Sequence, residues 1–197
     1  YALGLHSGLP MSEAISAGKM PERPDESTRF RMYRLGEDIM RDFGSVRLSL
    51  KHYAFDYRER NANNSISGDK NICLPFGVHA GGRLGEFFFH QTNDVDEYHK
   101  LVLSGIKPLE RARKMPEDFK VCSVIAGQVA RKCGFNLEAA ASAAPLYRAQ
   151  IIEQCKPLLT EWLEKGLITS GWHGWYRLSS WALFKHKTLI PDLMEEI

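Results

Sequence analysis

Apolar residues change their period along this chain, and the changes divide it into elements. Residues 29–43 carry Phe30, Tyr33, Ile39, Met40 and Phe43 near helical spacing, which predicts a helix stopped by Gly44. From Val46 to Tyr57 the period falls to two. Val46, Leu48 and Leu50 share one face and Arg47, Ser49 and Lys51 the other, with Tyr53, Phe55 and Tyr57 following, so a strand is expected. Residues 58–71 read as a polar loop. The apolar runs 72–79 and 84–91 flank Ala80-Gly-Gly-Arg83 and predict a hairpin turning on the glycine pair, with Pro75 keeping its strand at an edge. Asn93 or Asp94 then caps a helix to about Ser104 with Val95, Tyr98, Leu101 and Val102 inward, ended by Gly105.

The second half reads as helical up to Gly166. Residues 118–133 form one helix capped by Gly134, and Asn136 starts an alanine-rich turn. Pro145 opens a helix through Ile151, Ile152 and Cys155, and Pro157 kinks it or starts the last one. After Gly166 come Leu167-Ile168, a glycine-rich turn between Gly171 and Gly174, and Trp175-Tyr-Arg-Leu178: short strand, tight turn, strand. Residues 1–28 are an arm or linker rich in Gly, Pro and Ser, with one or two helical turns near Ser12, and the basic stretch 106–117 reads as an irregular junction. The expected fold class is α+β. An arm (1–28) precedes an α/β region (29–106) whose small antiparallel sheet has flanking helices, and a mostly helical region with a C-terminal tail (107–197) follows.

The ending resembles the winged-helix superfamily. Ile125-Ala-Gly-Gln-Val-Ala-Arg-Lys-Cys-Gly134 matches a scaffold helix running into a turn, Leu163-Glu-Lys-Gly-Leu-Ile168 a helix end, and residues 171–174 the wing. The likeness covers about the last 80 residues and holds at superfamily level. Gly134 to Gly166 is longer than one turn plus one recognition helix, so an inserted helix is expected. The resemblance implies a nucleic-acid-binding or protein-docking module.

Charge bears on that choice. The net charge is only +2, but 107–187 hold 13 Lys and Arg against 7 Asp and Glu. The surplus sits on the winged-helix-like segment, as phosphate contacts require. The leading reading is therefore a nucleic-acid-binding protein without catalysis of its own, DNA before RNA, as in replication, transposition, partition or transcription control. Candidate phosphate contacts are Arg131, Lys132, Arg148, Lys156, His173, Arg177, Lys185 and Lys187, with His173 at the wing tip. Trp172, Trp175, Tyr53 and Tyr57 are candidates for stacking on unpaired bases. Each has a plainer alternative: the tryptophans, with Trp181, pack the wing on the helices, and the aromatic strand faces the core.

Two other readings stand beside it. A docking module would use the acidic, apolar tail 190–197, with a protein partner or a second copy. A metal-dependent nuclease would use Asp56, Glu59, Asp69 and Glu86 with Lys70, although no spacing among them is diagnostic. His79, His90 and His99 read as unrelated, though the first two sit at hairpin ends. The glycines of 77–85 lack the Lys-Ser/Thr and the strand-to-helix setting of a phosphate loop. The four cysteines (Cys73, Cys122, Cys133, Cys155) form no CxxC pair, so reduced, mostly buried thiols and an intracellular compartment are expected, with no metal and no cofactor. No apolar run approaches the ~18–20 residues of a membrane span. The first residue is Tyr, as in a fragment or a processed product.

Overall fold

The structure is a computed structural model, and it describes residues 5, 7–56, 58, 72–116 and 118–197. α1 (Pro10–Ser16) carries a proline in its first turn, where the missing N–H costs nothing. α2 (Glu26–Asp42) begins at Asp25, whose carboxylate accepts the Thr28 N–H at 2.7 Å. The helix starts before its apolar period does because the cap lies in polar sequence. β1 (Val46–Arg47) and β2 (Tyr53–Ala54) then pair antiparallel. The single strand expected over 46–57 is thus a minimal hairpin. The N–H groups of Leu48 and Ser49 both donate to the His52 carbonyl, which closes the turn. Tyr57 and nearly all of the polar loop lie outside the described residues.

β3 (Gly81–Leu84), β4 (Phe87–Gln91) and β5 (Leu109–Lys114) form an antiparallel sheet in that order. Its hairpin turns at Gly85 (φ 58°) and Glu86, not at the Gly81–Gly82 pair. Gly82 serves another need. A Cβ there would sit 2.6 Å from the Cys73 carbonyl oxygen and 2.4 Å from the Pro75 ring, because the segment 73–75 crosses directly over it. Cys73 and Arg83 exchange both backbone hydrogen bonds in that crossing. The stretch expected to be an irregular junction is strand β5, so the sheet straddles the expected boundary at 106/107. α3 (Val95–Leu103) links β4 to β5 and is capped by Asp94.

The remainder is a helical body around a second sheet. α4 (Asp118–Lys132), β6 (Gly134–Asn136), α5 (Leu137–Ala141), a 3-10 turn (Pro145–Tyr147) and α6 (Arg148–Glu164) lead to β7 (Ile168–Ser170). A second 3-10 turn (Trp172–Gly174), β8 (Trp175–Leu178), α7 (Ser180–Phe184) and α8 (His186–Glu195) complete it. The sheet order is β6-β8-β7. The surplus length between Gly134 and Gly166 is therefore a strand and a short helix, and α6 runs continuously through Pro157. Gly134 is no cap. Cys133 takes the left-handed conformation (φ 55°), and Gly134 lies in β6 with room for no side chain, since a Cβ would fall 2.4 Å from the Tyr176 carbonyl oxygen.

The core belongs to this body. Val121, Ile125 and Val129 of α4 recur on one helical face and meet Phe135, Ile151, Cys155, Leu159, Trp162, Ile168, Leu183 and Leu193. α2 joins from outside: Phe30 packs edge-on to Trp181 at 4.7 Å and against Phe184 at 5.5 Å, and Arg34 donates to Ser180 at 2.8 Å. The half-buried Arg47 ties β1 to α2 by donating to Tyr33 at 3.1 Å and to Glu37. Burial pushes the Tyr33 phenol up to about 12. Among the described residues, no helix is long and apolar enough to cross a membrane.

Candidate functional site

A cleft of about 1100 Å³ opens between the β3-β4-β5 sheet and α4, with Met194 of α8 reaching its edge. Its shape follows from the two faces of α4. Val121, Ile125 and Val129 turn into the core, while Ser123, Ala126, Gly127 and Ala130 line the cleft and leave space through their small size. The opposite wall is one face of the sheet. Residues directly opposite across antiparallel strands share a face. One row is therefore Arg83–Phe88–Arg113 and the next Gly81–His90–Arg111, and all six line the cleft.

Phe88 meets Phe119 edge-on at 5.4 Å, and the Arg83 guanidinium lies over the Phe88 ring at 5.3 Å, giving an aromatic floor ringed by cations. Lys120 of α4 holds the hairpin turn through Glu86 at 2.6 Å. That hydrogen bond, with Lys114 nearby, keeps the Glu86 carboxyl below its ordinary range. Arg83 donates its Nε–H to the Gly85 carbonyl at 3.0 Å. Arg111 lies 3.7 Å from Glu110 in an exposed pair of little energetic weight. The His79 and His90 rings touch edge-to-face at 4.6 Å. His90 Nδ1 stands 3.1 Å from the Gln91 carbonyl, which as a donor would leave Nε2 as the acceptor. Cys122, also in the wall, has its thiol raised by burial.

None of the residues expected to contact nucleic acid lines this cleft. Lys132 lies over the Trp175 ring at 4.6 Å, Arg148 pairs with Glu138 at 3.4 Å, Lys156 pairs with Glu153, and Lys185 pairs with Glu26. Arg131 is half-buried on α4. Arg177 and Lys187 are exposed on β8 and α8. His173 sits in the 3-10 turn 172–174 at φ 55°, its carbonyl held by the Asn136 amide at 2.7 Å. Of the stacking candidates, Trp172 is 87 % exposed, Trp175 is half-buried under Lys132, and Tyr53 is bonded to Arg47 in the α2 junction. Four of these cations are thus already engaged, by a tryptophan ring or by carboxylates.

Of the nuclease constellation only Asp56 and Glu86 fall among the described residues, and each is engaged by a cation, Asp56 by Arg58 and Glu86 by Lys120; Glu59, Asp69 and Lys70 lie outside them. The alternation of Arg111 and Arg113 is the sequence signal for this wall, and the basic, Pro-flanked stretch 106–117 hides the strand that carries it.

The chain is 32% identical over 109 residues to anaerobilin synthase of Escherichia coli O157:H7, a match that covers 55% of this chain and 24% of that protein. Its fold is similar to that of coproporphyrinogen III oxidase (HemN) from Escherichia coli, described as a radical SAM enzyme, with a TM-score of 0.67 and 13% identity. That likeness covers 88% of this chain and 42% of the oxidase chain, so this chain spans well under half of either relative. No protein-family model matches it.

These likenesses correct the functional expectation. Both relatives are enzymes by name, and neither name concerns nucleic acid. The nucleic-acid-binding reading, the DNA partner, the docking and nuclease alternatives and the absence of catalysis give way to an enzyme connection. Radical chemistry of the oxidase's kind rests on S-adenosylmethionine and an iron–sulfur cluster, whose irons need three or four converging thiolates. The cysteines here do not fit that need. Cys73 is exposed beside the sheet, Cys122 and Cys133 sit near opposite ends of α4, and Cys155 is buried in α6. Among the described residues no three His, Cys, Asp or Glu side chains gather as metal ligands.

Proposed function

We propose that this chain is the substrate-holding portion of an intracellular tetrapyrrole-converting enzyme of the anaerobilin synthase kind, with the cleft as the substrate's seat. The observation that carries this reading is the 32% identity over 109 residues. The site supports it: a cleft of about 1100 Å³ is of the size that holds a medium to large organic ligand. Phe88 and Phe119, packed edge to face, give it an apolar wall against which an apolar ligand body can rest. Binding energy comes from contact with that wall, and orientation from the surrounding cations. Helices α5 and α6 and the sheet β6-β8-β7 back α4, which forms one wall. No redox step is assigned to these residues, since their thiols do not gather.

The test is titration of the purified protein with coproporphyrin III, followed by its main absorption band. Saturable binding that Phe88→Ala weakens about tenfold is expected, the loss of an apolar contact face. Absence of any spectral change, with the protein folded, overturns the reading.

A further inference from the structure

We propose that Arg111 and Arg113, with Arg83 beside them, form a receptor for separated carboxylates carried on the rim of a rigid, apolar ligand. The proposal rests on the tetrapyrrole reading only for the identity of the apolar body. The argument begins with spacing. Arg111 and Arg113 are two residues apart on β5, hence about 7 Å along the strand and on the same face. Arg83 stands two strands away in the row of Arg113, about 10 Å off. The three guanidiniums therefore make a triangle around Phe88 and His90 instead of a single cluster. A triangle of forks recognises separated carboxylates on a body that lies between them; one small anion would leave at least one fork unused.

Availability points the same way. Arg113 forms no ion pair among the described residues, and Arg111 has only its exposed neighbour Glu110. Arg83 is already placed, with Nε held by Gly85 and its plane over Phe88, so its terminal nitrogens are directed without further ordering cost. The acidic group in the wall, Asp118, is turned to its own helix, where it accepts the Phe119 N–H at 2.8 Å. Apolar rings beside arginines with open hydrogen-bonding capacity fit a ligand that is apolar in the middle and anionic at the rim.

The experiment measures three probes by fluorescence: coproporphyrin III, its tetramethyl ester, and naphthalene-2,6-dicarboxylate. The proteins are wild type, Arg111→Gln, Arg113→Gln and, as a control on the other sheet, Arg177→Gln. The expected result is about a tenfold loss of free-acid affinity for each cleft variant, the worth of one charge-assisted fork. Ester affinity should be unaffected, and Arg177→Gln should behave as wild type. Equal binding of acid and ester, untouched by the cleft variants, overturns the receptor while the tetrapyrrole reading stands. Binding of the naphthalene dicarboxylate alone, lost in the cleft variants, supports the receptor and overturns the tetrapyrrole reading. Binding of none of the three overturns both. Melting curves accompany each variant; both arginines are exposed, so their melting temperatures should stay near that of wild type.

Discussion

The helical body 118–197 and the sheet region 72–116 are built from similar proportions of apolar residues and put them to opposite uses. In the body, Phe135, Ile125, Val121 and Leu193 are wholly buried around β6-β8-β7. In the sheet region no large apolar side chain is buried, and Phe76, Phe87, Leu74, Leu103 and Ile106 stand exposed. A region with so little core of its own borrows its order, here from α4 through Phe88–Phe119 and Glu86–Lys120. One part of the molecule is thus a scaffold whose stability is internal. The other is a sheet whose apolar residues are largely left outside any core.

The sharpest way to break this contrast is to truncate one aromatic in each part. Phe135→Ala should cost about 3–5 kcal/mol and lower the unfolding midpoint steeply, because a fully buried ring leaves a cavity. Phe88→Ala should cost under about 1 kcal/mol while reducing ligand affinity. Denaturant melts of both variants decide the matter: equal losses would mean that the sheet shares the core after all.

Two glycines give a second, smaller test. At Gly134 an added methyl meets the fixed carbonyl of Tyr176 at 2.4 Å. Gly134→Ala should therefore destabilise the body by about 2–4 kcal/mol, in the range of overpacking at a strand crossing. At Gly82 the obstruction is the overlying segment 73–75, which can lift away. Gly82→Ala should leave the melting temperature within a few degrees of wild type but speed amide exchange at Cys73 and Arg83. An equal fall in stability at both positions would contradict a separately ordered sheet.

The same contrast explains what could be read from the sequence. The body was legible because its elements are punctuated. Asp118 opens a helix, Gly166 closes one, and the turn 171–174 sits between short strands where the spacing put them. What stayed hidden was non-local. Gly134 looks like a cap until Tyr176 is known to lie across it. Gly81-Gly82 looks like a turn until 73–75 is known to cross above. Arg83, Phe88, His90, Arg111 and Arg113 fall in three separate runs, and only the β3-β4-β5 register puts them on one face. The nucleic-acid expectation erred for the same reason: a surplus of cations counted along the chain says nothing of the faces on which they stand.

Asn136 probes how the body holds the turn 172–174 between β7 and β8. It is 8 % exposed, and its side chain serves two masters: Oδ1 accepts the Ala139 N–H at 2.8 Å to cap α5, and Nδ2 donates to the His173 carbonyl at 2.7 Å. Asn136→Asp keeps the cap and loses the donor, whereas Asn136→Ala loses both. The alanine variant should cost about 1–2 kcal/mol and the aspartate variant about as much, since a carboxylate facing the His173 carbonyl repels it. Thermal melts rank them, and a near-neutral aspartate variant would show that the turn 172–174 is not held from Asn136.

The smallest expected effect is a pH dependence carried by His186. Burial, the largest influence, lowers its imidazole pKa below the ordinary value, and Lys51 and Lys187 add to the lowering. The ring nitrogen Nδ1 lies 2.7 Å from the Leu183 carbonyl, which opposes the shift without cancelling it. The unfolded chain therefore binds this proton more readily than the folded one. Stability is full above the unfolded value near 6.5 and falls as pH drops through it towards the folded value, where the loss levels off. Because His186 joins α7 to α8 at the body's edge, the loss should be visible as a modest fall in melting temperature between pH 7 and pH 5. His186→Gln should flatten that slope. A slope unchanged in His186→Gln would place the acid sensitivity outside the α7–α8 junction and overturn this assignment.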